Sequence, residues 1–438
     1  MIPPSSQAVI GAGPVGCFSA LTLSQRAGAG NVTLFESDSK SRNRFAGEWL
    51  HPAGIRALCQ SGILERDELE KRSVSHRGFA IFPHDRSEAI LLEYPGSDRG
   101  LVCEHGALVS LLRQKAVAEP NIHFVSGARV ESVKEGELAY RLNGESDSKT
   151  FRADHIIGAD GRGSVVRPAL GLTRSSRLIS YMAGVMLRDI ELPHEGFGHV
   201  ILGAAGPILL YRVAPDLVRA SIDVPANAKK GRQHLTAMLR EEYAPFLPES
   251  IRGEFVRAIA EDELAFRANR YRARMNYGNE NLSLVGDAVG FQHPLTAMGM
   301  TLGFQDAVGL VDFDDFAEFQ KARRSATLVP EMLAMSLFQA FSGRDSGACE
   351  VRKAIYSMWR RYPQERERTM RLLSGEVTSP IRFSFSFIRG VQLALLGSVL
   401  PENERLQLSQ VASTLGSIGQ ILLGMASCSS ARLARSAA

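Results

Sequence analysis

The chain has 438 residues, of which 45% are apolar, so it is long enough to fill more than one ordinary domain core. Its formal net charge of +4 is small for this length, and its basic residues are scattered, which gives no support to nucleic-acid binding. The five cysteines include no CxxC pair, and the acidic run 312–315 lacks EF-hand spacing, so neither a disulfide framework nor a metal site is expected. Because the N-terminus lacks the charged start of a signal peptide, we expect a cytoplasmic protein.

The N-terminal segment has the pattern of a dinucleotide-binding βαβ unit. The predicted elements are a strand at 7–10, a helix at 17–27 and a second strand at 31–35. The turn between the first two carries Gly11, Gly13 and Gly16, which suit a tight turn, a close approach of pyrophosphate and close helix–strand packing. Glu36 then stands where an acid binds ribose hydroxyls, which favours FAD or NAD over NADP. The alternative is an ordinary glycine-rich turn.

A second strand-to-turn pattern covers residues 153–167. An apolar run leads into Asp160 and Gly161, and a helical pattern follows. Taken alone, this pattern also fits a structural turn, in which Asp160 caps the helix and Gly161 supplies a positive φ. The order of this motif, after GxGxxG and before a later Gly-Asp motif, resembles that in FAD-dependent monooxygenases, and this resemblance implies a flavin-binding role.

Several short apolar runs between these motifs predict the strands of a second sheet. They lie at 78–82, 181–187, 200–202 and 219–224. Such a sheet would roof the cofactor, and the substrate cavity would lie between the two domains.

The segment from 282 to 303 is the most informative part of the chain. Apolar residues 282–285 predict a buried strand, and Asp287 at its carboxyl end can bind a ribityl or sugar hydroxyl. Pro294 interrupts the chain before a helix that we expect to begin near Gly299. The unpaired N–H groups at that helix start would face the electron-rich pyrimidine edge of a reduced flavin.

From Phe316 onward the sequence predicts helices, punctuated by Pro380 and Pro401. Residues 381–400 and 411–428 are apolar stretches of nearly membrane-spanning length, but arginines, serines and glycines interrupt them. Two interpretations remain open. The helices either lie on a membrane or cover a substrate entrance as an amphipathic pair, or they form a helical subdomain packed on the core.

Motifs along nearly the whole chain resemble those of the squalene epoxidases, also called squalene monooxygenases. His293-Pro294-Leu295-Thr296 with Gly299-Met300-Thr301 resembles the HPLTGGGMT stretch, and residues 47–54 (GEWLHPAG) are similar to GELLQPGG. The helix that carries Arg113 resembles the helix whose arginine contacts the flavin. Residues 207–211 resemble a strand whose tyrosine, here Tyr211, faces the active site.

The resemblance implies an α/β fold of the p-hydroxybenzoate hydroxylase type. A discontinuous Rossmann-like FAD-binding domain would comprise residues 1–71, 101–174 and 281–325. An interleaved β-sheet substrate domain would comprise residues 72–100 and 175–280. A C-terminal helical region, 326–438, would lie on the inner face of the membrane as a peripheral element.

The implied activity is an FAD-dependent monooxygenase that uses O2 and NAD(P)H and oxygenates a lipophilic substrate through a flavin C4a-hydroperoxide. The reductant would act directly or through a separate flavin reductase. The motifs and the resemblance together give as cofactor contacts Gly11, Gly13, Gly16, Glu36, Arg44, Arg113, Val130, Asp160, Gly161, Gly286, Asp287, Pro294, Gly299 and Met300. Tyr211 and His293 are the catalytic candidates, although a histidine in a proline turn also fits a structural role. The substrate-pocket candidates are Tyr211, Phe291, Leu295 and Met298, each of which could instead be core.

Two departures from these motifs point away from squalene as the substrate. Ala297 and Met298 replace two glycines of the HPLTGGGMT stretch, and Ala107 replaces an arginine. Bulkier side chains beside the flavin favour another isoprenoid or a prenylated aromatic compound, to be epoxidised or hydroxylated. The alternatives are an FAD-dependent reductase of isoprenoid double bonds and a non-catalytic flavin- or lipid-binding membrane protein. A halogenase is disfavoured, because no WxWxIP motif surrounds Trp49 or Trp359.

Overall fold

The fold combines two main sheets with a C-terminal set of helices. A computed structural model describes residues 6–26, 30–40, 48–228, 231–262, 264–399 and 408–433. The strands are β1 (Gln7–Ile10), β2 (Val32–Glu36), β3 (Trp49–Leu50), β4 (Val74–His76), β5 (Gly78–Phe82), β6 (Ile90–Glu93), β7 (Gly100–Val102), β8 (Ile122–Ser126), β9 (Ala128–Lys134), β10 (Glu137–Leu142), β11 (Lys149–Arg152), β12 (His155–Gly158), β13 (Arg177–Arg188), β14 (Phe197–Ile201), β15 (Ile208–Ala214), β16 (Leu217–Pro225), β17 (Ala265–Tyr271) and β18 (Leu282–Leu284).

The α-helices are α1 (Pro14–Ser24), α2 (Pro52–Gln60), α3 (Arg66–Glu70), α4 (His105–Ala118), α5 (Val166–Ala169), α6 (Arg232–Met238), α7 (Glu249–Glu261), α8 (Gly299–Asp312), α9 (Phe316–Ser342), α10 (Ser346–Arg361), α11 (Pro363–Leu373), α12 (Pro380–Val399) and α13 (Leu408–Leu433).

The first sheet is parallel, with the strand order β18-β12-β1-β2-β8. Every residue of β1, β2 and β12 is buried, as is usual for parallel strands covered on both faces. Because the strands run in one direction, the segments that follow β1, β2, β12 and β18 leave from the same edge of the sheet. These are the segments in which the sequence predicts cofactor contacts.

Helix α1 differs in its bounds from the helix predicted at 17–27. It begins at Pro14 and ends at Ser24, because proline has no N–H to leave unpaired in the first helical turn and its φ already suits the helix. The residue before it, Gly13, has an extended backbone and serves as the N-cap. The helix therefore starts within the GxGxxG motif itself.

The second sheet has the strand order β17-β13-β16-β15-β14-β5-β6. Its pairs are antiparallel except β14 with β5. In β15, Ile208 and Leu210 face a core shared with α6 and α7, whereas Leu209, Tyr211 and Val213 face the opposite side. This alternation gives the sheet two apolar faces. The runs predicted as strands at 78–82, 181–187 and 219–224 all lie within this sheet.

The opposite face of the second sheet meets the C-terminal helices in one apolar cluster, called here the sheet–helix cluster. Its buried members include Trp49, Phe79, Val200, Val213, Leu295, Val329, Leu333, Leu372, Leu373 and Val377. Helix α10 packs on α12 and α13, and α13 packs on α9. None of the helices in the described part of the chain has the length and apolarity of a membrane-spanning segment.

Candidate active site

The three glycines of the GxGxxG turn have different surroundings. Gly11 has φ +97°, and a Cβ built there would lie 2.8 Å from the carbonyl oxygen of Ala159. A Cβ on Gly16 would lie 1.8 Å from the carbonyl oxygen of Gly11. A Cβ on Gly13, by contrast, meets no described atom within 4 Å. The packing of the protein therefore requires glycine at 11 and 16, whereas Gly13 leaves open backbone at a helix N-terminus, where a phosphate group can approach.

Glu36 is held at the end of β2 by several donors. Its carboxylate accepts hydrogen bonds from the N–H groups of Ala12 (2.7 Å) and Asp38 (2.8 Å), and it pairs with Arg113 (3.1 Å). Arg113 also donates to the carbonyl oxygens of Ala12 (2.9 Å) and Asp38 (3.1 Å). The structure thus brings the predicted residues Glu36 and Arg113 together beside the glycine turn, where the adenosine half of a dinucleotide would lie.

Two further residues were predicted as cofactor contacts, Val130 and Arg44. Val130 lies on β9, paired with Tyr140 of β10, and its side chain belongs to the apolar core that contains the strands of the first sheet. Arg44 lies outside the described residues.

Asp160 makes the capping contact considered for it and has one further carboxylate oxygen without a partner among the described residues. One carboxylate oxygen accepts a hydrogen bond from the N–H of Val165 (2.6 Å), as a structural cap would, and Gly161 has φ +74°. The other oxygen, Oδ1, is buried without a hydrogen-bond partner among the described residues. Burial raises the pKa of the Asp160 carboxyl. An unsatisfied buried oxygen at the cofactor edge of the sheet is what a missing ligand donor would leave.

Asp287 follows β18 at the same edge. Its carboxylate accepts a hydrogen bond from Arg162 (3.2 Å), and its other oxygen is 4.0 Å from the position of a Cβ on Gly299. Gly286 has φ +61°, which a tight turn after the strand requires. Asp160 and Asp287 therefore follow the ends of the neighbouring strands β12 and β18, and Asp287 also lies beside the start of α8.

Helix α8 approaches this edge with its N-terminus. It begins at Gly299, as predicted, and a Cβ on Gly303 would lie 2.4 Å from Val15, so glycine allows α8 and α1 to pack closely. The hydroxyl oxygen of Thr301 is buried without a hydrogen-bond partner in the described part of the chain. The free N–H groups of the first turn and the positive end of the helix dipole favour an electron-rich ligand here.

A buried charge network, which the sequence did not reveal, supports the 286–290 turn. Asp306 on α8 pairs with both Arg274 and Arg323, and it also accepts a hydrogen bond from the N–H of Gly286 (2.9 Å). Arg274 donates to the carbonyl oxygens of Gly286 (2.9 Å) and Gly290 (2.8 Å). No local pattern identifies these residues, because a single charged residue in a helix is normally a surface residue.

Arg167 ties the Asp160 turn to the Asp287 turn. Its guanidinium is buried and donates to the carbonyl oxygens of Ala288 (2.9 Å) and Val289 (3.0 Å). The relative position of the two acidic turns is therefore fixed by the protein itself.

His293 lies in a buried network that joins the turn before α8 to the second sheet. Its Nδ1 accepts a hydrogen bond from the N–H of Leu295 (3.2 Å), so Nε2 carries the proton of the neutral ring and donates to Asp223 on β16 (2.8 Å). The Ser180 hydroxyl donates to the same carboxylate (2.7 Å). The side-chain amide of Asn269 donates to both the Ser180 hydroxyl and the Asp223 carboxylate. Both ring nitrogens thus have protein partners, which favours the structural role for His293.

Tyr211 is held by a buried ion pair. Its hydroxyl donates to Glu48 (2.9 Å), and Glu48 pairs with Arg219 (2.5 Å), which lies opposite Tyr211 on the neighbouring strand. Burial and the negative charge of Glu48 raise the pKa of Tyr211 well above its ordinary value. Tyr211 is therefore a neutral phenol whose proton points at Glu48. The sequence indicated Tyr211 but not the two charged residues that hold it.

The comparison with protein families agrees with this geometry. A sequence model of the squalene epoxidase family matches residues 152–410, more than half of the chain. The chain belongs to the squalene epoxidase family. Squalene monooxygenase of Rattus norvegicus is 27% identical over 374 residues, which span 80% of this chain and 64% of the rat protein. The chain thus spans less than two thirds of the length of that relative. Squalene epoxidase ERG1 of Candida albicans is 27% identical over 439 residues, with 85% and 87% covered.

Solved structures confirm the predicted fold class. PqsL of Pseudomonas aeruginosa has a TM-score of 0.64 at 20% identity and matches 77% of this chain and 96% of its own. The flavin-dependent brominase Bmp2 has a TM-score of 0.69 at 14% identity and matches 87% and 96%. p-Nitrophenol 4-monooxygenase PnpA of Pseudomonas putida has a TM-score of 0.59 at 17% identity and matches 87% and 97%. At these identities the likeness concerns the fold alone.

Hydrogen bonds between uncharged groups connect residues 47–54 (GEWLHPAG) with residues 293–296 (HPLT) in this member of the squalene epoxidase family. Trp49 donates to the hydroxyl of Tyr94 (3.1 Å), Tyr94 donates to Nδ1 of His51 (2.7 Å), and Nε2 of His51 donates to the carbonyl oxygen of Thr296 (2.8 Å). His51 stands where the related GELLQPGG motif has glutamine. Burial lowers the pKa of His51 to about 4, so the ring stays neutral at physiological pH.

The lowered pKa of His51 can be tested by the pH dependence of the free energy of unfolding in a variant that lacks the imidazole. Between pH 6.5 and about 4 the unfolded chain binds a proton at His51 that the folded chain does not, so the free energy of unfolding falls as the pH decreases through this window. His51→Gln retains an acceptor for Tyr94 and a donor for Thr296. It is expected to reduce the loss of stability between pH 7 and pH 5 by about 2 kcal/mol, measured by urea unfolding. The same substitution at exposed His123 is the matched control. If His51→Gln loses as much stability between pH 7 and pH 5 as the unchanged protein, His51 binds its proton in the folded state over the same pH range as in the unfolded chain.

The four residues predicted to line the substrate pocket are all buried or partly buried, but their surroundings differ: mainly apolar for three of them and cationic for Phe291. Leu295 and Tyr211 both belong to the sheet–helix cluster, and Met298 is buried at the start of α8. Phe291 is also buried, but two guanidiniums lie over its ring, those of Arg162 (5.0 Å from the ring centroid) and Arg272 (4.9 Å). An apolar substrate contact therefore has more support at Tyr211, Leu295 and Met298 than at Phe291.

Proposed function

We propose that the protein is an FAD-dependent monooxygenase that epoxidises or hydroxylates a lipophilic substrate. The observation that carries this proposal is the juxtaposition of two features. Three cofactor-type turns leave one edge of the parallel sheet, and the adjoining start of α8 lies beside the apolar sheet–helix cluster. Membership of the squalene epoxidase family and the fold of the structural neighbours support the same activity.

The residues at this edge fit FAD. The open backbone at Gly13 and the fixed carboxylate of Glu36, with Arg113 beside it, suit the pyrophosphate and adenosine ribose. The unpartnered Oδ1 of Asp160 and the carboxylate of Asp287 suit hydroxyl donors of the flavin half. The N-terminus of α8, with Gly299 and Met300, suits the pyrimidine edge of the ring. The bound cofactor would supply the activation of O2, with electrons from NAD(P)H, directly or through a separate reductase.

The chain itself would mainly position the substrate and exclude water. His51 and Tyr94 present neutral groups to each other, the hydroxyl proton of Tyr211 is held in a hydrogen bond to Glu48, and the charge of Glu48 is neutralised by Arg219. A site of this kind holds an apolar alkene or aromatic ring without offering protons to the reacting atoms. Exclusion of water protects a reactive oxygen species from non-productive decay.

The direct test uses the purified, FAD-loaded protein. The flavin is reduced without oxygen and mixed with isotopically labelled O2 and a series of isoprenoid or prenylated aromatic compounds. Incorporation of one labelled oxygen atom into a product supports the proposal. Double-bond reduction without O2 would instead identify an isoprenoid reductase. Binding of lipid with no turnover of reductant would favour the binding protein.

We also propose that α12 and α13 contact a membrane surface on the cytoplasmic side. Ile381, Phe385 and Ile388 recur at intervals of four and three residues on α12, so they share one face, and all three are exposed. Leu415, Leu422 and Leu423 are exposed on α13. Helix faces that expose several large apolar side chains together are typical of surfaces that contact a lipid or a protein.

Substitution of this face gives a prediction for membrane binding. The double variant Phe385→Ser/Ile388→Ser is expected to lower partitioning into phospholipid vesicles by at least about tenfold, because each side chain contributes on the order of 1 kcal/mol or more when buried. Vesicle flotation measures the effect. Val117→Ser, which alters an exposed apolar residue on α4, is the matched control. If the double variant floats as well as the unchanged protein, the two helices do not contact the membrane through this face.

A further inference from the structure

The Met298 side chain packs against the turn that follows α11 in the C-terminal region. Its side chain is buried, and its terminal methyl group lies 2.6 Å from the position that a Cβ on Gly375 would occupy. Gly375 follows α11 with φ +76°, so glycine suits both its backbone and the presence of Met298. The two residues are far apart in sequence but fit each other closely.

The turn that carries Gly375 is joined to α2 by an ion pair. Glu376 pairs with Arg56 on α2 (2.9 Å), and Arg56 also pairs with Asp98 (3.0 Å). The N–H groups of Glu376 and Val377 both donate to the carbonyl oxygen of Arg371 (3.1 Å each). The Met298 side chain therefore lies against a turn that is held by its own backbone hydrogen bonds and by this ion pair.

Met298 also lies at the junction between the proposed cofactor edge and the sheet–helix cluster. The next residue, Gly299, begins α8 beside Asp287, while Leu295 and Ala297 pack against the cluster. An apolar chain that reaches the cofactor edge through this cluster would meet the Met298 side chain where the two regions join. A flexible, polarisable thioether suits a position that contacts different apolar partners.

We propose that Met298 is a specificity-determining residue that, with the Gly375 turn behind it, limits the length of the isoprenoid chain the site accepts. This inference rests on the proposed oxygenation of a lipophilic substrate. It adds the wall formed by residues 374–377, so the C-terminal region is part of the substrate site as well as a candidate membrane contact.

The experiment compares Met298→Ala with Met298→Leu in the FAD-loaded full chain. Alanine removes the thioether and opens space at the wall, whereas leucine keeps a similar volume. The probes are phenols that carry geranyl, farnesyl or geranylgeranyl chains, together with squalene. Met298→Ala is expected to raise the kcat/KM ratio of the longest to the shortest accepted probe at least about tenfold, since one or two buried methylene groups discriminate by about 10- to 200-fold. Met298→Leu should change this ratio by less than about threefold.

Binding of the same probes, followed by displacement of a fluorescent fatty acid, separates this inference from the proposed function. If no probe is oxygenated by any form but Met298→Ala gains affinity for the longer chains, the proposed activity fails and the length limit stands. If Met298→Ala is folded and retains FAD but ranks the probes as the unchanged protein does, the length limit is overturned. Met298→Val, a smaller truncation, replaces Met298→Ala if the latter does not fold, and the same two outcomes apply.

Discussion

Gly13→Ala is expected to give a folded protein that binds FAD much more weakly. Gly13 has φ −74° and ψ −178°, which alanine adopts without strain, and its Cβ would meet no described atom within 4 Å. The methyl group would therefore leave the unliganded fold unchanged but occupy the space through which a pyrophosphate reaches the backbone. Loss of one or two charge-assisted hydrogen bonds is expected to weaken FAD binding by about tenfold to a thousandfold. Flavin fluorescence during titration of the apoprotein measures the affinity, and thermal unfolding of the apoprotein measures the fold.

Gly16→Ala is the matched control, because it makes the same chemical change three residues further on. Its Cβ would lie 1.8 Å from the carbonyl oxygen of Gly11, so the turn must move and the apoprotein should lose about 3 kcal/mol or more of stability. The two substitutions thus separate a glycine required by a ligand from one required by the protein. FAD affinity in Gly13→Ala equal to that of the unchanged protein would place the pyrophosphate elsewhere.

The parts of the fold that the sequence predicted well are those with local signals. The strands at 7–10 and 78–82 coincide with β1 and β5, because apolar runs bounded by turn residues identify buried strands. Gly299 as the start of α8 followed from the proline and glycine residues around it. The bounds of α1 were wrong, since the glycine motif was interpreted as lying entirely before the helix.

The parts that the sequence did not predict depend on pairs far apart in the chain. Glu48 meets Arg219 only because β3 and the second sheet pack together, and no spacing within either segment indicates the partner. Likewise, Asp223 on β16 pairs with His293 in the turn before α8, 70 residues further along the chain. The sequence therefore identified Tyr211 and His293 but not their surroundings, and the surroundings decide whether such a residue faces substrate or supports the fold.

Asp306→Ala is expected to cause the largest loss of stability among single substitutions near the candidate site. The Asp306 carboxylate is fully buried and neutralises two guanidiniums, those of Arg274 and Arg323, which are themselves almost entirely buried. Its removal leaves two cations in a poorly solvated interior and the N–H of Gly286 without its acceptor. Breaking a buried ion pair by removing one partner costs about 3–5 kcal/mol. Urea unfolding of the apoprotein measures the loss in the free energy of unfolding.

The same substitution should also weaken FAD binding, since Arg274 and Asp306 together hold the turn that presents Asp287. Asp314→Ala is the matched control, because Asp314 pairs with Arg26 at 3.5 Å but its side chain is 91% exposed, so a loss of at most about 0.5 kcal/mol is expected. Asp306→Asn keeps the shape and one acceptor but not the charge, and should fall between these two variants. If Asp306→Ala loses less than about 1 kcal/mol, the two arginines do not depend on this carboxylate. In that case another group must fix the 286–290 turn at the edge of the sheet.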